Sequence, residues 1–357
     1  MATTAATRDL AARSTGLIRG RPLAIGLAGL IALGVLLVLG VGLGSVRIGA
    51  DQTIGVILAR TLGIDIGAHW TPAIDTIVWD LRLPRVLTAM VIGCALAVAG
   101  ATFQGLLRNP LADPYVLGTA SGAALGAAVA VLLPIRLVFV EFGLLHGLAF
   151  LGALVSAWVV FRLGGTASGG GLTRLLLTGY AVGSVLAALL TMAMYVSGVE
   201  LRQIFSFLLG GLGGASWTRL GVATPLILGA CIAITLRSRV LDGLLLGDAA
   251  ARHLGFDVGR ERGILLGLAS MATAAAVAIS GLIGFVGLVV PHVVRLAVGP
   301  EGRRVVPLSA ILGAALLSAA DLVARLAGDI PVGVVTSLLG APFFLFLLRR
   351  SRSGYEL

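Results

Sequence analysis

The chain has 357 residues, 58% hydrophobic and only 12% charged, with a mean hydropathy of +1.06; soluble domains carry roughly 25% charged residues, which excludes a water-soluble fold. The net charge of +10 rests on Arg alone, because no Lys occurs. A P-loop needs a Lys to reach the β- and γ-phosphates, so the chain carries no ordinary ATP-hydrolysing site of its own.

Arg8, Arg13, Arg19 and Arg21 precede an apolar stretch from Pro22 to Gly44. That stretch exceeds the 7 to 15 residues, roughly, of a signal-peptide core and reads as an uncleaved first span. A span needs about 20 apolar residues, and about ten are predicted. They run near 22–44, 84–107, 114–134, 143–163, 174–196, 217–236, 262–281, 283–298, 305–326 and 330–348. The fold class is therefore an all-α polytopic membrane protein. Its single membrane domain covers 22–348, between tails at 1–21 and 349–357. Two connections are long: Ser45 to Leu83, with Asp51, Asp65, Asp75 and Asp80, and the loop 237–261.

Arg distribution predicts the orientation, since positive residues collect on the cytoplasmic side. With both termini cytoplasmic, 18 of the 26 Arg fall on that side, among them Arg108, Arg162, Arg174, Arg237, Arg239, Arg252, Arg260 and Arg262. A nucleic-acid-binding domain would instead gather its charge on one solvated face, so no nucleic-acid partner is expected. Cys94 and Cys231 both lie in apolar segments, and His69, His146, His253 and His292 show no ligand spacing. Neither a disulfide framework nor a metal site is indicated.

Within the spans, GTASGAALG sets Gly118, Gly122 and Gly126 four residues apart, a stripe that allows close helix approach, either inside the subunit or at a dimer or pathway surface. Gly281, Gly284 and Gly287, followed by Pro291, predict a break at a helix junction. ALAVAGATFQG at Ala95 to Gly105 is weakly echoed by AVAISGLIGFVG at Ala276 to Gly287, a hint of duplicated halves. In the loop 237–261, Gly247 and Gly255 bracket a short amphipathic helix. Asp248 stands at its first turn and Arg252 and His253 at its last, matching the helix dipole. Such a helix lies on the membrane surface or docks a cytoplasmic subunit. Asp321 and Arg325 are spaced for a same-helix ion pair. The scarcity of other span carboxylates speaks against a proton-coupled carrier.

The segment RLPRVLTAMVIGCALAVAGATFQGLLRNPLADPYVLGTASGAALGA, from Arg82 to Ala127, resembles the signature of permease subunits of iron-chelate, haem and cobalamin ABC importers. GLIGFVGLVVPHVVRL from Gly281 to Leu296, ADLVARL, and DIPVGVVTSLLGAPFFLFLL from Asp329 to Leu348 resemble further parts of the same family in the same order. The resemblance implies a ten-span type II importer fold in the bacterial inner membrane, working as a homodimer with the pathway between subunits. Two ATP-binding subunits would sit on the cytoplasmic face, using ATP and Mg, and one substrate-binding protein on the outer face. No cofactor would be bound by this chain, and it would not itself be an enzyme.

By the same resemblance LLLGDAAARHLG, Leu244 to Gly255, is the coupling helix, with Leu246, Gly247, Asp248, Ala251, Arg252, His253, Leu254 and Gly255 facing or shaping the ATPase contact. Arg82, Arg85 and Arg325 would receive carboxylates of the binding protein. Leu172 and Thr173 occupy the place of the inner gate, next to Gly169, Gly170 and Gly171. Substrate cues diverge: LRQ and GGLGG within Gly198 to Trp217 are closer to the cobalamin form, whereas DPY at Asp113 to Tyr115 is frequent among siderophore and haem relatives. A ferric siderophore leads, with haem or cobalamin next. The competing expectation is a secondary transporter or channel for a small solute.

Overall fold

The computed structural model describes residues 21–65, 67–133, 138–139, 142–165 and 171–351. Residues 1–20 and 352–357 of the predicted tails, and Gly169 and Gly170, lie outside these. The first span is α1 (Arg21–Gly42). The connection after it contains α2 (Ala50–Leu62) and α3 (Pro72–Thr76), the latter capped by Thr71, whose hydroxyl accepts from the Ile74 amide. A π-helical stretch, Ile77–Arg82, joins α3 without interruption to α4 (Leu83–Leu106). Pro84 has no N–H for the carbonyl four residues back, and wide turns of this kind absorb such a missing bond.

A 3₁₀ turn, Pro114–Leu117, leads to α5 (Thr119–Leu132). Two residue pairs, Val138–Phe139 and Phe142–Gly143, form a minimal antiparallel hairpin before α6 (Leu144–Gly164). Then follow α7 (Gly171–Val196), α8 (Leu201–Leu209) and α9 (Trp217–Leu236). The long internal loop folds as α10 (Ser238–Leu245) and α11 (Asp248–His253). The chain closes with α12 (Val258–Ser280), α13 (Val286–Val298), α14 (Gly302–Leu326) and α15 (Val332–Ser351). Among the described residues seven apolar segments are long enough to cross a membrane, and α5, α13 and α15 are shorter apolar helices. Together they match the ten predicted spans.

Two of these boundaries differ from the sequence expectation for local reasons. The third span starts at Thr119, because Gly118 adopts φ +72° and separates it from the Pro114–Leu117 turn. Gly281 (φ +68°) and Phe285 (φ +67°) leave the segment between α12 and α13 unwound, so the eighth span has only the 13 residues from Val286. The segments Ala95–Gly105 and Ala276–Gly287 are not structural counterparts: the first lies in one continuous helix, whereas the second contains this break. They pack on each other, and a Cβ on Gly100 would stand 1.8 Å from the Gly287 carbonyl oxygen.

The core surrounds α4, with α12 and α14 beside it. In their most apolar stretches 78%, 72% and 56% of residues are buried, against 17% for α1 and 11% for α7. Small residues make this possible. Gly93 of α4 meets the Gly313 carbonyl of α14, and alanines such as Ala97, Ala101, Ala272 and Ala276 fill the centre. Without a hydrophobic drive between helices in lipid, such close backbone contact supplies the packing energy.

Candidate functional site

At one end of the bundle the loop 237–261 forms a projecting element. Gly247 (φ +111°) opens α11, and Gly255 (φ +85°) closes it. The Gly255 amide donates to Arg252 O and the Phe256 amide to Ala251 O, the paired bonds of a Schellman stop. Phe256 then lies against Gly243 of α10, where a Cβ would meet its ring at 2.8 Å. Ala251 is fully buried beneath the helix, while Leu246 (73%) and Leu254 (59%) are exposed together with Arg252 and His253. Two large exposed apolar side chains beside a guanidinium and an imidazole are suited to a protein contact.

Three of the loop's carboxylates bond to other parts of the chain, whereas Asp257 is exposed and caps α12. Asp248 Oδ1 accepts from Arg108 Nη2 at 2.8 Å and from Arg262 Nη2 at 2.9 Å. Burial tends to raise its carboxyl, but the bond and charge of Arg262, followed by those of Arg108, outweigh this and hold it below the ordinary carboxylate range. Asp242 of α10 accepts from the Gly302 amide at the start of α14, and Glu261 pairs with Arg237 at 2.7 Å. Arg108, Arg262 and Asp242 were not among the sequence candidates. Only the RN run after the second span offered a local signal.

At the other end, the three predicted docking arginines are occupied internally. Arg82, 8% exposed, donates to the carbonyls of Val41 (2.8 Å), Gly42 (3.1 Å) and Val46 (2.6 Å). Arg325 donates to Gly40 O at 2.8 Å and Leu43 O at 3.3 Å. Both guanidiniums thus cap carbonyls at the C-terminus of α1, where cations are favoured, with the Gly42 carbonyl also accepting from the Ile48 amide. Asp321, 1% exposed, accepts from Arg325 Nε at 3.0 Å and also from Arg85 Nε at 2.9 Å, so the expected same-helix pair is one half of a larger cluster. Arg85 reaches outward as well, to Asp329 at 2.8 Å, whose side chain is 64% exposed. Three guanidiniums and two carboxylates leave the cluster cationic, with only the Arg85–Asp329 pair close to the surface.

The predicted glycine stripe divides. Gly118 is not on the helix with the others. A Cβ there would press on Ser156 Oγ at 2.7 Å, while Cβ atoms on Gly122 and Gly126 would meet the backbone carbonyls of Gly152 and Leu148 at 2.3 and 2.0 Å. Gly122 and Gly126 pack α5 on α6 within the subunit, one of the arrangements their spacing allows. Thr173 is exposed at the start of α7, beside a cleft lined by Leu163, Arg174, Leu177 and Thr178. Leu172 lies in the same turn, and its side chain is outside the described residues.

Two further polar groups serve the broken helix. Pro291 cannot donate to the Gly287 carbonyl, and Gln104 Nε2 of α4 donates there at 3.3 Å and to Leu288 O at 3.1 Å. Arg295 in turn binds Gln104 Oε1, and donates to Ala101 O at 2.9 Å. Tyr115 Oη donates to Ile283 O at 3.0 Å and accepts from the Ile283 amide at 3.2 Å, while Asp113 accepts from the Tyr115 amide at 2.8 Å. The DPY run therefore braces the unwound Gly281–Phe285 segment, and its presence is explained without reference to the solute.

Ten apolar helices around a small-residue core, with a helix broken inside the bundle and a capped helical element projecting from one end, define an integral membrane permease. The match to the FecCD transport family runs over residues 31–350, and the chain belongs to that family. It is 41% identical over 334 residues to the hemin transport system permease HmuU of Yersinia pestis, covering 90% of this chain and 96% of that one. It is 43% identical over 276 residues to the cobalamin import system permease BtuC of Halobacterium salinarum, covering 77% and 74%. A solved inward-facing structure described as a metal-chelate type ABC transporter superimposes with a TM-score of 0.79 at 27% identity, over 92% of this chain and 99% of its own.

Proposed function

We propose that the chain is the membrane-spanning subunit of an ABC importer that carries a metal chelate into the cell without changing it chemically. The observation that carries this reading is α11, a helix held by a glycine at each end that presents Leu246 and Leu254 away from the bundle. It is the seat expected for an ATPase subunit, which would supply the energy this Lys-free chain cannot draw from a P-loop. In this reading both termini and α11 are cytoplasmic, in keeping with the Arg distribution, and the membrane is the bacterial inner membrane. Two copies pair about the pathway, and α7, an apolar helix left largely uncovered by its own subunit, supplies contact surface. A binding protein docks at the opposite end on the cationic Arg82–Arg85–Arg325 cluster, exchanging one of its carboxylates for the surface bond between Arg85 and Asp329.

Relatives described as hemin and cobalamin permeases favour a metal tetrapyrrole as the solute, ahead of the ferric siderophore expected from sequence. A proton-coupled carrier is disfavoured because the buried carboxylate Asp321 is held between two guanidiniums. The test is reconstitution in proteoliposomes with the partner ATPase and binding protein, offering cobalamin, haem and a ferric siderophore in turn. ATP-dependent uptake of one of the tetrapyrroles is expected. Uptake driven by an ion gradient without ATP would refute the importer reading, and siderophore uptake alone would refute the choice of solute.

A further inference from the structure

The glycines that bracket α11 have open space where a side chain would be, with no heavy atom within 4 Å of a Cβ built on Gly247 or Gly255. Both also hold positive φ. No side chain packs on either glycine, and the Schellman bonds and the Phe256–Gly243 contact hold α11 only to its own loop, so a push on this six-residue helix reaches the spans through side-chain ties. Apart from the small buried Ala251, that tie is Asp248, which joins two spans through one oxygen. Arg262, whose side chain is 7% exposed, comes from α12, and Arg108 follows α4, the most deeply buried span. Arg108 holds φ +46°, a conformation side-chain-bearing residues seldom adopt. In it, the guanidinium donates both to Asp248 and, through Nε at 3.1 Å, to Leu244 O at the end of α10. Among the described residues, Asp248 is the one carboxylate paired with either Arg.

We propose that Arg108 and Arg262 are positioning residues that clamp α11 through Asp248 to α4 and α12, so that a displacement of α11 moves those spans instead of being absorbed at Gly247 and Gly255. The proposal rests on the reading of α11 as the ATPase seat. Its test uses the complete reconstituted transporter and measures solute taken up per ATP hydrolysed in Arg108→Met, Arg262→Met, Asp248→Asn and the Arg262→Met/Asp248→Asn double variant. Each single variant is expected to lower that ratio by about tenfold, within the range of coupling between distant sites. The double variant is expected to fall no further than the lower of its singles, because both remove the same bond. Arg108→Lys, which keeps the charge, should recover part of the ratio.

A ratio unchanged in the single variants, or losses that multiply in the double variant, would overturn the clamp. The seat itself is tested separately by cross-linking Leu254→Cys to the ATPase subunit, the native Cys94 and Cys231 lying within spans. Absence of that cross-link in the otherwise wild-type chain refutes the docking reading. A cross-link that persists in the Met variants alongside an unchanged ratio refutes only the clamp, and loss of the cross-link in those variants would assign the arginines to binding and likewise overturn transmission.

Discussion

Replacing Arg82 with Leu is expected to loosen the first span before it affects any partner. The guanidinium supplies three hydrogen bonds, at 2.8, 3.1 and 2.6 Å, to carbonyls at or just beyond the end of α1. The residue is 8% exposed, so water replaces those bonds poorly. A buried acceptor left unsatisfied costs about 1–3 kcal/mol. The Gly42 carbonyl keeps the Ile48 amide as a donor in the variant, so two carbonyls, those of Val41 and Val46, lose theirs, a net loss of roughly 2–5 kcal/mol. For a chain of this size that corresponds to a fall of roughly 3–7 °C in melting temperature. The fall can be followed in detergent with a thiol-reactive fluorophore, because Cys94 and Cys231 are sheltered in α4 and α9 and become reactive as the helices part. Arg82→Lys should lose about half as much, keeping the charge but not the planar fork. A Leu variant that melts like the parent would refute the capping role.

Further perturbations address other parts of the bundle. Gly100→Ala would drive a Cβ to 1.8 Å from the Gly287 carbonyl and should prevent accumulation of folded protein, whereas Gly147→Ala, with no atom within 4 Å, should leave melting unchanged or slightly raised; equal expression and melting of the two would contradict the packing of α4 on α13. Gln104→Leu strips the donor from the Gly287 and Leu288 carbonyls and the acceptor from Arg295, a loss of about 2–4 kcal/mol that a detergent melt would register. Asp329→Asn removes the surface carboxylate from Arg85 and should tighten binding-protein association at low salt, with the gain fading as salt rises. Unchanged low-salt affinity would argue against docking on that cluster.

Several features were legible in the sequence because their causes are local. Apolar runs must span a membrane whatever they pack against, and Gly247, Asp248, His253 and Gly255 mark a short helix through cap and dipole preferences that involve only neighbouring residues. Gly281 and Pro291 likewise announced the broken helix. Other features depend on residues far apart in the chain. Asp321 was expected to neutralise its neighbour Arg325, but Arg85, distant in sequence, shares it. Two of the arginines resembling docking residues, Arg82 and Arg325, also cap α1, since only the folded bundle brings a helix C-terminus to their guanidiniums. From its spacing the Gly122 and Gly126 stripe could face another subunit or the chain's own α6, and the backbone contact with Gly152 and Leu148 is visible only in the fold. Sequence alone therefore determined that the chain spans the membrane about ten times and carries a short capped helix in its loop 237–261, because burial in lipid and helix capping are written in short stretches. The tertiary structure alone decided which charges are free to meet partners and which are consumed inside, because each guanidinium takes the nearest unsatisfied acceptor, and nearness is a property of the fold.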